Sequence, residues 1–252
     1  MVGHPPHSLI KRLQAELPHD APFDLDDLRR LDVPRQAASH YAKTGWLIRV
    51  GHGVYALPGA TLTPHGMVKL LQRRLDGLHI GGRTALGMHG VRHTLAIRER
   101  MVLWGDVRHA LPEWFTSRQP ARYVSARLFE WPDGELDERT VTTPPDVSEG
   151  LRVSAPERAA LEMLYEVGTN EDLEEARRIF EGLRNVRTQV VGRLLSCCTS
   201  VKAVRLFLTW ARESELLDVD ALLDRHQPRV GSSRRWVQRL KDGTLLTLKP
   251  HG

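Results

Sequence analysis

Apolar positions near the start of the chain recur at helical spacing in three short blocks. Leu9, Ile10, Leu13 and Leu17 share one face of a helix over residues 8–17, and in FDLDDLRRL the same pattern groups Leu25, Leu28 and Leu31, with Asp24 as a cap. In DVPRQAASHYAKTG, Val33, Ala37 and Tyr41 recur every four residues. They predict a third helix over 33–44, capped by Asp32, with Pro34 in its first turn and Gly45 ending it in the left-handed conformation. Its outward face carries Arg35, Gln36, Ser39, His40 and Lys43. The period then shortens. Residues 46–50 and 54–57 are rich in β-branched and aromatic side chains, and Gly51-His52-Gly53 between them predicts a hairpin. Three helices followed by a hairpin predict a winged helix-turn-helix over residues 1–60, whose second helix of the turn enters a DNA major groove.

PGATLTPHG, residues 58–66, reads as a linker. Beyond it the pattern alternates. Two helices are expected around Gly81-Gly82, strands over 101–105 and 121–131, and a helix in VSAPERAALEMLYEV with Ser154 as cap and Pro156 in its first turn. Helices follow over 171–183, 186–198, 200–213 and 218–225, and a last hairpin turns at Asp242-Gly243. The fold class expected is α+β, a winged helix followed by a larger mixed α/β domain over 65–252.

Charge sharpens this division. The net charge is +1 over residues 1–64, +6 over 65–131, −7 over 132–225 and +5 over 226–252. Basic segments suit a polyanion, so Arg234, Arg235 and Arg239 of the last segment are candidate supporting DNA contacts. The acidic segment suits a basic protein partner, with Glu171, Glu174 and Glu175 as candidate contacts. No apolar run approaches the roughly 20 residues that span a bilayer, and MVGHPPHSLIKRL lacks the apolar core of a secretory signal. A cytoplasmic protein without a membrane partner is expected.

Candidate catalytic patterns fail on their own chemistry. A dinucleotide fingerprint needs a third glycine and a following helix, whereas a strand follows Gly53. His89 and His93 have the spacing of a helical zinc pair, but Gly90 stands where a zinc hydrolase needs its glutamate. The carboxylates of PDGELDERT, 132–140, lack the lysine triplet of a metal-dependent nuclease. Cys197 and Cys198 are adjacent, which fits neither a disulfide framework nor a metal knuckle. A non-enzymatic protein without metal or cofactor is expected. The side chains on the third helix, by contrast, match base edges: Arg35 can bond guanine O6 and N7, and Gln36 adenine N6 and N7. Ser39, His40 and Lys43 add base or phosphate contacts, and Arg49 and His52 place donors on the wing.

AKTGWLIRVGHGVYALPG, followed by GGRTALGMHGVRH, resembles the AbiEi antitoxins, transcriptional regulators of type IV toxin–antitoxin systems. The resemblance implies an autorepressor that binds operator DNA near its own promoter. It also implies an antitoxin domain over 65–252 that counteracts a cognate nucleotidyltransferase-fold toxin encoded beside it. The DNA role then falls on Arg35, Gln36, Ser39, His40, Lys43, Arg49 and His52. Arg83, in the second motif, takes a structural or DNA-supporting role. Two other classes stay open: a nuclease-like enzyme delivered by a winged helix, and a ligand-responsive transcription factor.

Overall fold

The first periodic blocks form α1 (His7–Glu16), α2 (Leu25–Arg30) and α3 (Arg35–Lys43) in a computed structural model. The residues described are 7–91, 100–131, 138–144, 150–232, 234–239 and 243–249. The chain divides into two compact units, residues 1–76 with 110–120, and 77–109 with 121–252.

In the first unit, a short strand β1 (Phe23–Asp24) runs directly into α2. Asp24 accepts hydrogen bonds from the N–H groups of Asp26 and Asp27, while the Asp27 carboxylate accepts from the Asp24 N–H. This reciprocal box satisfies amides that a helix start leaves orphaned and stabilises it by about 1 kcal/mol. Asp32 does not do the same for α3. Its backbone is left-handed at φ 61, its carboxylate pairs with Arg12 at 3.4 Å, and Pro34 occupies the cap position without a side-chain bond. Gly45 ends the helix at φ 82, as its sequence position predicts.

Val33, Ala37 and Tyr41, joined by Ala38, are buried in one core with Leu13, Leu28, Phe23 and Tyr55. The hairpin is β2 (Ile48–Gly51) with β3 (Val54–Ala56), and β1 adds a third strand through Phe23↔Tyr55 and Asp24↔Val54, giving the order β1-β3-β2. Helix, strand, two helices and a hairpin make the winged helix-turn-helix expected.

The segment read as a linker is bonded to this unit. Thr61 donates its N–H to His19 O, and Thr63 donates both its N–H and its hydroxyl to Asp20 O. Thr63 also caps α4 (Pro64–Arg74), which buries Met67, Val68, Leu70 and Leu71. The unit is completed from further along the chain by α6 (Glu113–Thr116), whose Trp114 sits against the wing. A Cβ on Gly51 would lie 2.8 Å from the Trp114 ring, so only glycine admits the contact.

The second unit is built on a mixed five-stranded sheet. Its strands are β4 (His79–Ile80), β5 (Met101–Gly105), β6 (Ala121–Ser125), β7 (Val141–Thr142) and β8 (Val153–Ser154), in the order β6-β5-β4-β8-β7. The sixth strand stops at Ser125, short of the 121–131 run expected. Helix α5 (Gly82–Met88) packs on α7 (Pro156–Glu166), and α8 (Leu173–Glu181), α9 (Thr188–Cys197), α10 (Val201–Glu213) and α11 (Val219–His226) follow. Ala155, not Ser154, flanks α7, because Ser154 is the end of β8. The chain closes in the expected hairpin, β9 (Trp236–Arg239) with β10 (Leu245–Leu248); Gly243 lies in its turn at φ 87, and Asp242 lies outside the described residues.

Candidate nucleic-acid interface

The polar residues of α3 lie opposite its buried side. Arg35, Gln36 and Lys43 are exposed and Ser39 and His40 half-buried, whereas Ala37, Ala38 and Tyr41 face the core. On the wing, Arg49 is exposed within β2 and His52 in the turn before β3. Among the described residues no ion pair or side-chain hydrogen bond engages Arg35, Gln36, Lys43, Arg49 or His52. The contrast lies in the rest of the unit. Arg12 pairs with Glu16 and Asp32, Arg29 with Asp26, Arg30 with Asp27, and Arg73 and Arg74 reach Asp24. Arg12, Arg29, Arg30, Arg73 and Arg74 are thus matched with carboxylates, whereas Arg35, Lys43 and Arg49 meet none among the described residues.

The wing is fastened from behind. Arg74 donates to Gly53 O at 3.1 Å and to Asp24 at 3.4 Å, and Arg73 grips both oxygens of Asp27, one at 2.8 Å. Burial pushes the Asp27 carboxyl up, but the bonds from Arg73 and from the Asp24 N–H outweigh it and hold the group below its ordinary value. A carboxyl depressed in the folded state contributes stability above its unfolded pKa of about 4 and loses it as pH falls through the folded value. Arg73→Ala is therefore expected to destabilise the protein at pH 7 by about 0.5–1 kcal/mol, the upper half of what exposed pairs contribute. The gap in urea midpoints between wild type and variant should narrow as pH is lowered below the unfolded carboxyl pKa of about 4, and a gap that stays constant as pH is lowered would contradict the assignment.

In the second unit the charged groups serve the fold. Every residue of α7 from Glu157 to Leu164 is buried, charged residues included. Glu157 is gripped by Arg187, Arg158 by Glu162, and Glu166 by Arg122. Glu162 gathers His79 Nε2 and Arg158 Nε at 2.9 Å, the Ser154 hydroxyl, and the Gly82 N–H at 2.9 Å. That carboxylate fastens the Gly81-Gly82 corner, where a Cβ on Gly81 would lie 2.3 Å from Glu162 Oε2. Sequence reasoning missed this cluster, since His79, Gly82, Ser154, Arg158 and Glu162 come together from four separate elements.

Arg83 lies in this second unit and pairs with Glu171 and Glu175, joining α5 to α8. The acidic face needs a correction. Glu171 is buried between Arg83 and Arg122 and offers nothing to a partner; of the three residues named, Glu174 is exposed and Glu175 half-buried. Arg239, on the last hairpin, and Arg234 and Arg235, in the irregular segment leading to it, are exposed.

His89 Nε2 lies 3.0 Å from Ser154 O, while His93 and most of the acidic cluster, 132–137, lie outside the described residues. Burial pushes the Cys198 thiol up to about 12, which disfavours the reactive thiolate. Lys202, lowered to about 8 by burial, donates to Tyr165 O and Val167 O at the end of α7. No described helix is long and apolar enough to cross a membrane.

Two family models match consecutive stretches of the chain. Residues 6–97 match the N-terminal domain of AbiEi antitoxin transcriptional regulators, and residues 98–249 match the AbiEi antitoxin transcriptional regulators of type IV toxin–antitoxin systems. Among solved structures, the RV2827C protein from Mycobacterium tuberculosis shares the fold, with a TM-score of 0.60 and 16% identity over 90% of this chain and 86% of that one. No curated protein matches.

Proposed function

We propose, from the premise that this chain belongs to the AbiEi family of antitoxin transcriptional regulators of type IV toxin–antitoxin systems, that it represses its own promoter through the winged helix and neutralises a nucleotidyltransferase-fold toxin through the second unit. It acts in the cytoplasm, by binding and without catalysis. The observation that supports the DNA reading is the polar face of α3 beside the wing, in a unit where Arg12, Arg29, Arg30, Arg73 and Arg74 pair with carboxylates and Arg118 bonds the Trp114 carbonyl. Arg35 and Gln36 read bases, Lys43 and the wing residues Arg49 and His52 hold the backbone, and Ser39 and His40 lie between them. Exposed Arg234, Arg235 and Arg239 add electrostatic affinity, whereas Arg83 is spent on Glu171 and Glu175.

Footprinting on the chain's own promoter tests the reading. Each bidentate base contact discriminates by about 1–3 kcal/mol, so Arg35→Ala and Gln36→Ala should relax sequence preference, while Lys43→Ala weakens every duplex alike. Absence of a protected site, or unaltered preference in both variants, would sink the assignment. The antitoxin half is tested by co-expression with a neighbouring nucleotidyltransferase-like reading frame, where rescue of growth is expected.

A further inference from the structure

A cleft of about 480 Å3 opens between α2 and the end of α4, lined by Arg29, Arg30, Arg73 and Arg74 together with Asp24 and Asp26. Four guanidiniums meet three carboxylates here, counting Asp27, and the carboxylates are already committed. Asp24 holds two helix-start amides with one oxygen and faces Arg73 and Arg74 with the other; Asp26 holds Arg29; Asp27 holds Arg30 and Arg73. One positive charge is left over. Donors are left over too. Arg29 and Arg30 each commit only Nη1 to these pairs, out of the five N–H bonds of a guanidinium, and their side chains are 76% and 72% exposed.

Asp27 also holds the Arg73 fork through both of its oxygens, so that guanidinium has less side-chain freedom to lose when an anion arrives. A singly charged anion with several acceptor oxygens matches both the surplus charge and the surplus donors, and a phosphodiester is such a group. The location selects its source. Arg74 bonds the wing-turn carbonyl of Gly53, so an occupant of the cleft sits beside the turn that carries His52.

We propose that the cleft between α2 and α4 binds a backbone phosphate of the DNA duplex and fixes the register in which α3 meets the base edges. This rests on the DNA reading above. It extends the interface to residues that neither the base-reading face nor the wing includes, and its contribution is independent of sequence.

The test uses the full chain, a duplex spanning its own promoter and an unrelated duplex of equal length, with affinities measured over a range of salt concentrations. The Arg29→Ala/Arg30→Ala variant should lose about tenfold affinity for both duplexes at low salt. Its slope of log affinity against log salt should flatten by about 1 to 2, as fewer counterions are released. Its footprint and melting temperature should stay those of wild type. Arg29→Lys/Arg30→Lys keeps the charge without the planar fork, and should recover the slope but only part of the affinity. An unchanged affinity and slope in the alanine variant, with wild type binding and Lys43→Ala weakened, would overturn the cleft and leave the DNA reading standing. Stabilisation by inorganic phosphate without any effect of the variant on DNA would reduce the cleft to a free-ion site and also overturn the proposal. Failure of wild type to bind either duplex would overturn the DNA reading, and the cleft with it.

Discussion

Glu162→Ala is expected to destabilise the second unit by about 3–5 kcal/mol, the typical cost of removing one partner from a buried charge pair. The loss comes from what stays behind. Arg158 and His79 lie in the core with Glu162 as their shared acceptor, and the Ser154 hydroxyl and Gly82 N–H converge on the same two oxygens. Burial pushes the Glu162 carboxyl up, yet His79 and Arg158 outweigh it and hold the group below the usual carboxylate range. Alanine would leave a buried guanidinium facing a void. Glu162→Gln keeps the volume and most of the acceptor geometry, so its cost should be smaller. Urea unfolding followed by circular dichroism checks both, and an alanine variant as stable as wild type would refute the network's role. With a domain stability of about 5–15 kcal/mol, the alanine variant should also lose toxin neutralisation through depletion of folded protein.

The second large effect is local. Arg205, 1% exposed on α10, donates to Val230 O at 2.7 Å, Arg234 O at 2.9 Å, Leu248 O at 3.4 Å and Ser232 O. Its partners are main-chain carbonyls from the segment that leads into and closes the final hairpin. Hydrogen bonds to a charged group contribute about 1.5–3 kcal/mol each. Arg205→Met fills a similar volume without donors, and should release residues 228–249 while α10 stays folded. Hydrogen exchange should show lost protection of the β9 and β10 amides, and limited proteolysis should cut between 226 and 236. Retained protection across the hairpin would mean that Leu246 and Leu248, buried beneath it, hold it unaided. The same variant bears on the tail's electrostatics. If Arg234, Arg235 and Arg239 add to DNA affinity from a fixed position, releasing the hairpin should flatten the salt dependence, as should neutralising all three.

Residues whose role is set within one helical turn were legible in the sequence. Asp24 caps α2 as its position before an apolar repeat indicates, and the Val33, Ala37 and Tyr41 stripe points inward as drawn. Asp32 failed because capping depends on backbone angles as well as residue type, and Leu31 leads into a left-handed residue there. The two-residue strands β1, β4, β7 and β8 are too short to display an alternation; their pairing comes from partners outside their own local sequence, such as Tyr55 for Phe23 and Val153 for Ile80. The buried charges were hidden for a related reason. Glu157, Arg158, Glu162 and Glu166 look like the solvated side of α7 until Arg187, His79 and Arg122 are brought alongside, and Glu171 looks like free surface until Arg83 and Arg122 enclose it. Of the site, the face of α3 could be read from spacing alone, whereas the cleft joining α2 to α4 could not, because Arg29 and Arg73 are 44 positions apart.

Trp114 fills the space that Gly51 leaves open on the wing, and that pairing sets a timetable for biosynthesis. Domains generally fold as units, N-terminal first, as the chain leaves the ribosome. Here the N-terminal unit has to wait. When residue 76 emerges, α1 to α4 and the hairpin are available, but the indole that covers the base of the wing is still 38 residues upstream of the exit. It arrives only after β4, α5 and β5 of the other unit have been synthesised. A fragment ended at residue 60 would carry α3 with an unfinished wing and without Arg73 and Arg74. The winged helix therefore receives its full set of residues late in translation, once β4 and β5 of the second unit have been synthesised. A ribosome stalled between 76 and 110 would display a winged helix that has yet to receive its last piece.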